Sequence, residues 1–152
     1  MNKLISNALL KAVFTLFAII GSSFANAELK QTFGDYEVHY NAFNSTFLQP
    51  DVAASYQVQR SKYRGLVNIT VLQKQPDGSR KGVRARITGK SKNLIQQTNN
   101  LHFRPIVERD AIYHIAEFKI ASEDTLTFTL EIQPDSNKPA FTLSFRQTVF
   151  PN

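Results

Sequence analysis

Apolar and polar residues alternate with period two along most of the chain beyond residue 35. Tyr36, Val38, Tyr40 and Ala42 fall on one side of a segment whose other side carries Glu37, His39 and Asn41. Successive strand side chains point to opposite faces, so this pattern predicts a half-buried strand. Val67, Ile69 and Val71 mark a second strand within residues 62–75, and Val83, Ala85 and Ile87 a third within residues 83–90, its outer side carrying Arg84, Arg86 and Thr88. Between them, Gln75-Pro76-Asp77-Gly78 supplies turn chemistry: proline presets one φ angle, and glycine accepts a positive one. The two strands are therefore expected to pair as a hairpin joined through residues 76–82. Three further runs alternate in the same way: Ile112 to Ile120, Leu126 to Ile132, and Phe141 to Phe145. Turns at Ser122-Glu123-Asp124 and Pro134-Asp135-Ser136-Asn137 separate them.

Two stretches depart from this pattern. Pro50 to Tyr56 predicts a single helical turn with Pro50 or Asp51 near its start, too short to be more than a connector. Residues 91–107 are rich in amides and predict little beyond a helical turn near Leu94–Gln97. Six or seven short strands with little helix indicate an all-β fold: a single antiparallel β-sandwich of immunoglobulin-like proportions, with a small β-barrel as the alternative. No linker or composition break divides residues 28–152, which are expected to form one domain.

The first 27 residues have a different character. Lys3 and Lys11 precede or flank an apolar run, Ala12 to Ile20, no acid occurs before Glu28, and Ala25-Asn26-Ala27 places small residues at a cleavage position. This is the pattern of a secretory signal peptide, and the run is far shorter than the roughly 20 residues a membrane span needs. The remaining chain is expected to be exported, periplasmic and not an integral membrane protein. Cysteine is absent and Met1 is the only methionine, so residues 28–152 hold no disulfide and no sulfur ligand for a metal.

Charge is unevenly spread. Residues 52–107 carry eleven Lys and Arg against one acid, Asp77, whereas residues 108–152 carry four bases and seven acids. The candidate binding residues are Arg80, Lys81, Arg84, Arg86, Lys90 and Lys92; Arg84 and Arg86 would project from one strand face about 6.6–6.8 Å apart. Such a row suits an anionic envelope component or an acidic periplasmic protein. Nucleic acid is not expected, because its recognition motifs are missing. The competing reading is that these bases pair with Glu108, Glu117 and Glu131, implying no ligand. Of three histidines, His114 is the weak metal candidate, since parity sets it among apolar neighbours; a hydrogen-bonded core histidine is the simpler reading. His39 should face water. No catalytic signature of sequence-local type is present, so no catalytic residue, cofactor or metal site is assigned.

Phe33-Gly34-Asp35-Tyr36, Asn44-Ser45-Thr46-Phe47-Leu48 and Tyr63-Arg64-Gly65-Leu66-Val67-Asn68 resemble an exported bacterial family known as domain-of-unknown-function family 4426. The resemblance covers essentially all of residues 28–152 and implies a Gram-negative periplasmic setting, with no catalytic or binding residues to carry over. The same letters admit a polar site built from Asn44, Thr46, Tyr63 and Arg64, against which stands ordinary turn chemistry. The expected function is a non-catalytic binding or accessory module, possessing no cofactor and recognising its partner through the basic hairpin. A scaffold that adds a partner strand at a sheet edge is the alternative, and an enzyme with a site invisible in sequence comes third.

Overall fold

The computed structural model describes residues 29–152; the expected export segment, residues 1–27, lies outside them. Among the described residues, ten strands pair antiparallel into two sheets. Across the first sheet run β1 (Lys30–Phe33), β2 (Tyr36–Asn44), β3 (Arg64–Lys74), β8 (Ala111–Lys119) and β7 (Arg104–Glu108), with β4 (Arg80–Gly82) paired to the far end of β3. The second sheet is ordered β10 (Phe141–Val149), β9 (Asp124–Gln133), β5 (Arg86–Lys92) and β6 (Thr98–His102). The expected sandwich is present, and the sheets do not close into the alternative barrel.

The alternating residues meet between the sheets. Val38, Val67, Ile69 and Val71 from the first sheet and Phe128, Leu130, Ile132 and Leu143 from the second are wholly buried. Aromatic rings bridge the layers: Phe33 stacks on Phe141 at 4.2 Å between centroids, Tyr40 lies 4.7 Å from Phe145, and Phe118 meets Phe128 edge-on at 5.3 Å. Such pairs stabilise beyond the area they bury, each by about 0.5–1.5 kcal/mol. Gly65 sits opposite Phe118 in the β3–β8 ladder, and a Cβ there would lie 2.2 Å from the Phe118 ring. The glycine is required for that ring to lie flat over the backbone.

The outer face of the first sheet is also partly covered. The connection between β2 and β3 contains a 3-10 turn (Ser45–Phe47) and a short helix, α1 (Pro50–Ser55). It folds back so that Ala53 and Val58 bury against Leu66 and Ile115, forming a second small apolar cluster. Asp51 sits in the first turn of α1, where a carboxylate complements the exposed backbone N–H groups.

Three expectations need correction. Residues 62–75 and 83–90 do not form a hairpin. β3 pairs with β4 through Lys74↔Arg80 to Leu72↔Gly82; Val83 N–H then donates to Val71 O at 2.9 Å, and the chain crosses to the second sheet, where β5 pairs with β9 and β6. Val83, Ala85 and Ile87 do face the core; alternation identified their side but not their sheet. Residues 91–107 are more regular than expected, forming most of a β5–β6 hairpin and then β7. The turn between them is closed by Asn93, whose Oδ1 accepts from Gln97 N–H at 2.8 Å and whose Nδ2 donates to Gln97 Oε1 at 2.9 Å. Finally, β1 was not foreseen. It pairs with β2 through a two-residue Gly34-Asp35 turn.

Candidate interaction surfaces

The Asn44-Ser45-Thr46 corner is a buried polar knot. Asn44 Nδ2 donates to Lys62 O at 2.8 Å and, more distantly, to Phe150 O at 3.4 Å. Its Oδ1 accepts from Thr46 N–H at 3.0 Å and Thr46 Oγ1 at 2.8 Å. Ser45 Oγ donates to the carbonyls of Gln59 and Ser61 and accepts from Ser61 N–H at 2.9 Å. Arg60 reaches back to Thr46 O at 3.0 Å. These side chains spend their hydrogen-bonding capacity on backbone from three separate stretches, as buried polar groups must. Of the four residues grouped as a polar site, Asn44 and Thr46 bond each other, while Arg64 turns to Glu117 Oε2 at 2.8 Å. Tyr63 projects into solvent, with Lys62 Nζ 5.1 Å from its ring centroid.

The six candidate bases divide between the sheets. Arg80 and Lys81 lie on β4, and Arg80 Nη2 stands 3.3 Å from Glu37 Oε2 on the outer face of the first sheet. Glu37 also accepts from His39 at 2.8 Å, and that bond, more than the nearby Arg80 and Lys30, holds its carboxyl below the usual range. His39 is thus partly covered by this cluster rather than simply facing water. Arg84 falls in the crossover. Arg86, Lys90 and Lys92 are on β5 at even positions, opposite in parity to buried Ile87 and Ser91, so they point away from the core. The cross-strand row Lys92↔Thr127↔Arg146 sets a fourth cation two strands away, about 10 Å from Lys92. Lys81, Arg84, Arg86, Lys90 and Lys92 make no ion pair within the described residues. The acids expected to take them are used elsewhere: Glu117 holds Arg64, and Glu131 accepts from Thr142 Oγ1 at 2.7 Å.

His114 is buried in the sandwich, its Nδ1 3.3 Å from Ile69 O and its Nε2 accepting from Ala85 N–H at 3.0 Å. The second bond requires Nε2 to be unprotonated, which leaves the proton on Nδ1 facing the Ile69 carbonyl. Burial lowers its pKa below the ordinary value. The imidazole ties the crossover to β3 and β8, with no nitrogen left over.

Register also reveals a grouping that sequence order conceals. Asn44↔Gly65, Arg64↔Lys119, Asp124↔Val149 and Lys92↔Thr98 place the β2–β3, β8–β9 and β5–β6 connections and the segment after β10 at one end of the sandwich. Five of the seven exposed large apolar residues described, Phe47, Tyr63, Leu94, Ile95 and Phe150, sit there. A cavity of about 340 Å³ opens beside Tyr63, Arg64 and Lys119, and one of about 200 Å³ beside Phe47 and Phe150. A third, about 190 Å³, lies under α1 between Phe43, Leu48, Tyr56 and Tyr113. Asn68 lines that third cavity, and its Oδ1 is the one buried side-chain polar atom described that lacks a hydrogen-bond partner. Burial, reinforced by a hydrogen bond to Glu108, pushes the Tyr56 hydroxyl up to about 12, so it stays protonated.

Among solved structures, the chain is similar to FetP of uropathogenic Escherichia coli strain F11, recombinantly expressed in the periplasm: 16% identity, a TM-score of 0.56, 80% of this chain and 92% of that one. A copper-bound variant of FetP matches similarly, at 16% identity and a TM-score of 0.56 over 79% and 93% of the two chains. At that identity the likeness concerns the fold alone. A crystal structure of a DUF4426 family protein from Pseudomonas aeruginosa PAO1 is similar at 41% identity, with a TM-score of 0.71 over 81% of this chain and 94% of that one. No curated protein matches. The family model for a domain of unknown function, DUF4426, spans residues 30–152, and the chain belongs to that family.

Proposed function

We propose that this chain is an exported, non-catalytic binding module that takes an anionic partner on the outer face of its four-stranded sheet. The observation that carries the reading is the row Arg86, Lys90 and Lys92 on β5, which is without an acidic partner among the described residues and is extended by Arg146. Unpaired cations on a pleated face about 20 Å long raise the local concentration of anions and steer their approach. Only Glu131 opposes them among the outward paired positions of this sheet. Export to the periplasm is supported by the composition of residues 1–27. Copper stays a property of FetP, since at 16% identity the likeness concerns the fold alone.

The test is titration of labelled inorganic polyphosphate. Binding is expected, with affinity falling steeply as salt rises, and Arg86→Gln/Lys90→Gln/Lys92→Gln should abolish it without changing the melting temperature. Unaltered binding by the triple variant would overturn the reading. A second reading, strand addition, is favoured by β10, a nine-residue strand paired on one side only. A complex made that way would use backbone hydrogen bonds and depend weakly on salt.

A further inference from the structure

We infer that the anionic partner is a lipid surface, on which the protein docks end-on with Leu94 and Ile95 entering the headgroup region. This rests on the reading of Lys90 and Lys92 as anion-binding residues and names what they bind. The apolar side chains of this end are unusually open: Leu94 is 67% exposed, Ile95 74%, Phe47 64%, Tyr63 54% and Phe150 51%. Scattered single apolar residues need no explanation, but a concentration of them at one pole of a domain does. They stand on the β2–β3 and β5–β6 connections and on the segment after β10, at the convex tips of a sandwich. A folded partner would need a matching hollow for each, whereas a fluid interface accepts them all without fixed complementarity.

The β5–β6 tip is built to project. Asn93 closes the turn from both ends through its side chain, and Gln96 takes a positive φ of 67°. The turn thereby holds Leu94 and Ile95 outward, where nothing in the fold offsets their hydration. Lys92 ends β5 directly before this tip, and Lys90 lies one outward position below it. Across the same end, the Lys62 ammonium lies near the Tyr63 ring, a pairing in which an amphipathic aromatic settles at headgroup depth and a cation reaches phosphate. Glu123 in the β8–β9 connection and Asp124 at the start of β9 oppose this charge, and Glu117 is neutralised by Arg64. The basic sector is therefore the β5–β6 corner, and it coincides with the most exposed apolar pair. No described helix is long and apolar enough to cross a membrane, and the association inferred here is peripheral, with shallow insertion beside anionic headgroups.

Flotation with vesicles of phosphatidylethanolamine and phosphatidylglycerol, against phosphatidylcholine alone, tests the inference alongside the polyphosphate probe. Wild-type protein should float with the anionic vesicles only. Leu94→Gln/Ile95→Gln, both on exposed positions and without change of charge, should melt as wild type, keep polyphosphate binding, and lose vesicle binding by at least about tenfold, as expected when two apolar side chains no longer insert. Lys90→Gln/Lys92→Gln should weaken vesicle binding roughly thirtyfold, from the electrostatic contribution of two lysines near an anionic surface. Polyphosphate binding without vesicle binding would overturn the lipid inference and leave the β5 reading standing, as would vesicle binding indifferent to the Leu94→Gln/Ile95→Gln change. Equal binding to phosphatidylcholine would refute the charge requirement. Failure of both probes would overturn both readings.

Discussion

Replacing Asn44 by alanine separates a structural corner from a ligand site. The side chain is 5% exposed and makes four hydrogen bonds, three of them at 3.0 Å or less. Alanine leaves the Lys62 carbonyl and the Thr46 N–H without these partners at a part-buried corner. An unsatisfied buried group costs about 1–3 kcal/mol, so losing both partners should destabilise by about 3 kcal/mol, with the 3.4 Å contact to Phe150 contributing little. For a domain of this size each kcal/mol moves the melting temperature by about 4 °C, which predicts a fall of roughly 12 °C. Asn44→Asp keeps the acceptor for Thr46 and loses the donor to Lys62, so it should fall between the two. The assay is thermal and urea unfolding followed by far-UV circular dichroism, because the chain has no tryptophan. Should Asn44→Ala match wild type within about 0.5 kcal/mol, the ordinary scale of a neutral surface change, the knot is not what holds this corner and Asn44 returns as a candidate for recognition.

Two further outcomes follow from buried contacts. Gly65→Ala should destabilise by about 1–3 kcal/mol, the usual cost of overpacking, because its Cβ would press on a Phe118 ring held edge-on by Phe128; Phe118→Leu in the same chain should recover part of it, and an additive pair of losses would refute the contact. Stability should also decline as pH falls through the range below 6.5, since burial lowers the His114 pKa from that value and the unfolded chain then binds the proton more readily. The limiting slope is about 1.4 kcal/mol per pH unit, and it levels off once pH drops below the folded-state value. Glu37, whose pKa is lowered mainly by its bond to His39, acts lower down: its contribution is present above 4.5 and lost as pH falls beneath it. Urea midpoints at several pH values check this, and an identical slope in His114→Gln would refute the assignment.

Alternation made the inward residues legible because burial on one face imposes it locally. It could not assign Val83, Ala85 and Ile87 to a sheet, since that depends on where the chain crosses. The crossing is fixed by Val71 and by His114, the latter bonded to Ala85 across 29 residues. The strands β6 and β7 were obscure for another reason. They lie at sheet edges, and Thr98-Asn99-Asn100 is exposed on both faces, so no apolar period marks it. At the corner, the Asn44-Ser45-Thr46 letters announced a turn, but the partner carbonyls lie 18 and 106 residues away. The six bases were visible as composition, whereas their division between β4, the crossover and β5 is a property of topology.

The buried knot and the exposed apolar end belong to one design. Phe47 lies in the 3-10 turn that Asn44 caps, and Tyr63 follows Lys62, whose carbonyl Asn44 holds. Tyr63 O in turn accepts from Ile120 N–H at 2.9 Å. A connection of this length would ordinarily lose conformational freedom on meeting a partner, at about 0.5–1.5 kcal/mol for each immobilised side chain. Here that ordering is completed during folding, by bonds to backbone rather than by contact with a ligand. On the proposed lipid docking, the exposed rings are presented on a fixed base, and the cost of positioning them falls on stability instead of affinity. Sequence kept the two roles adjacent, polar letters inward and aromatic letters outward, which is why Asn44 to Leu48 reads equally well as a turn and as a site.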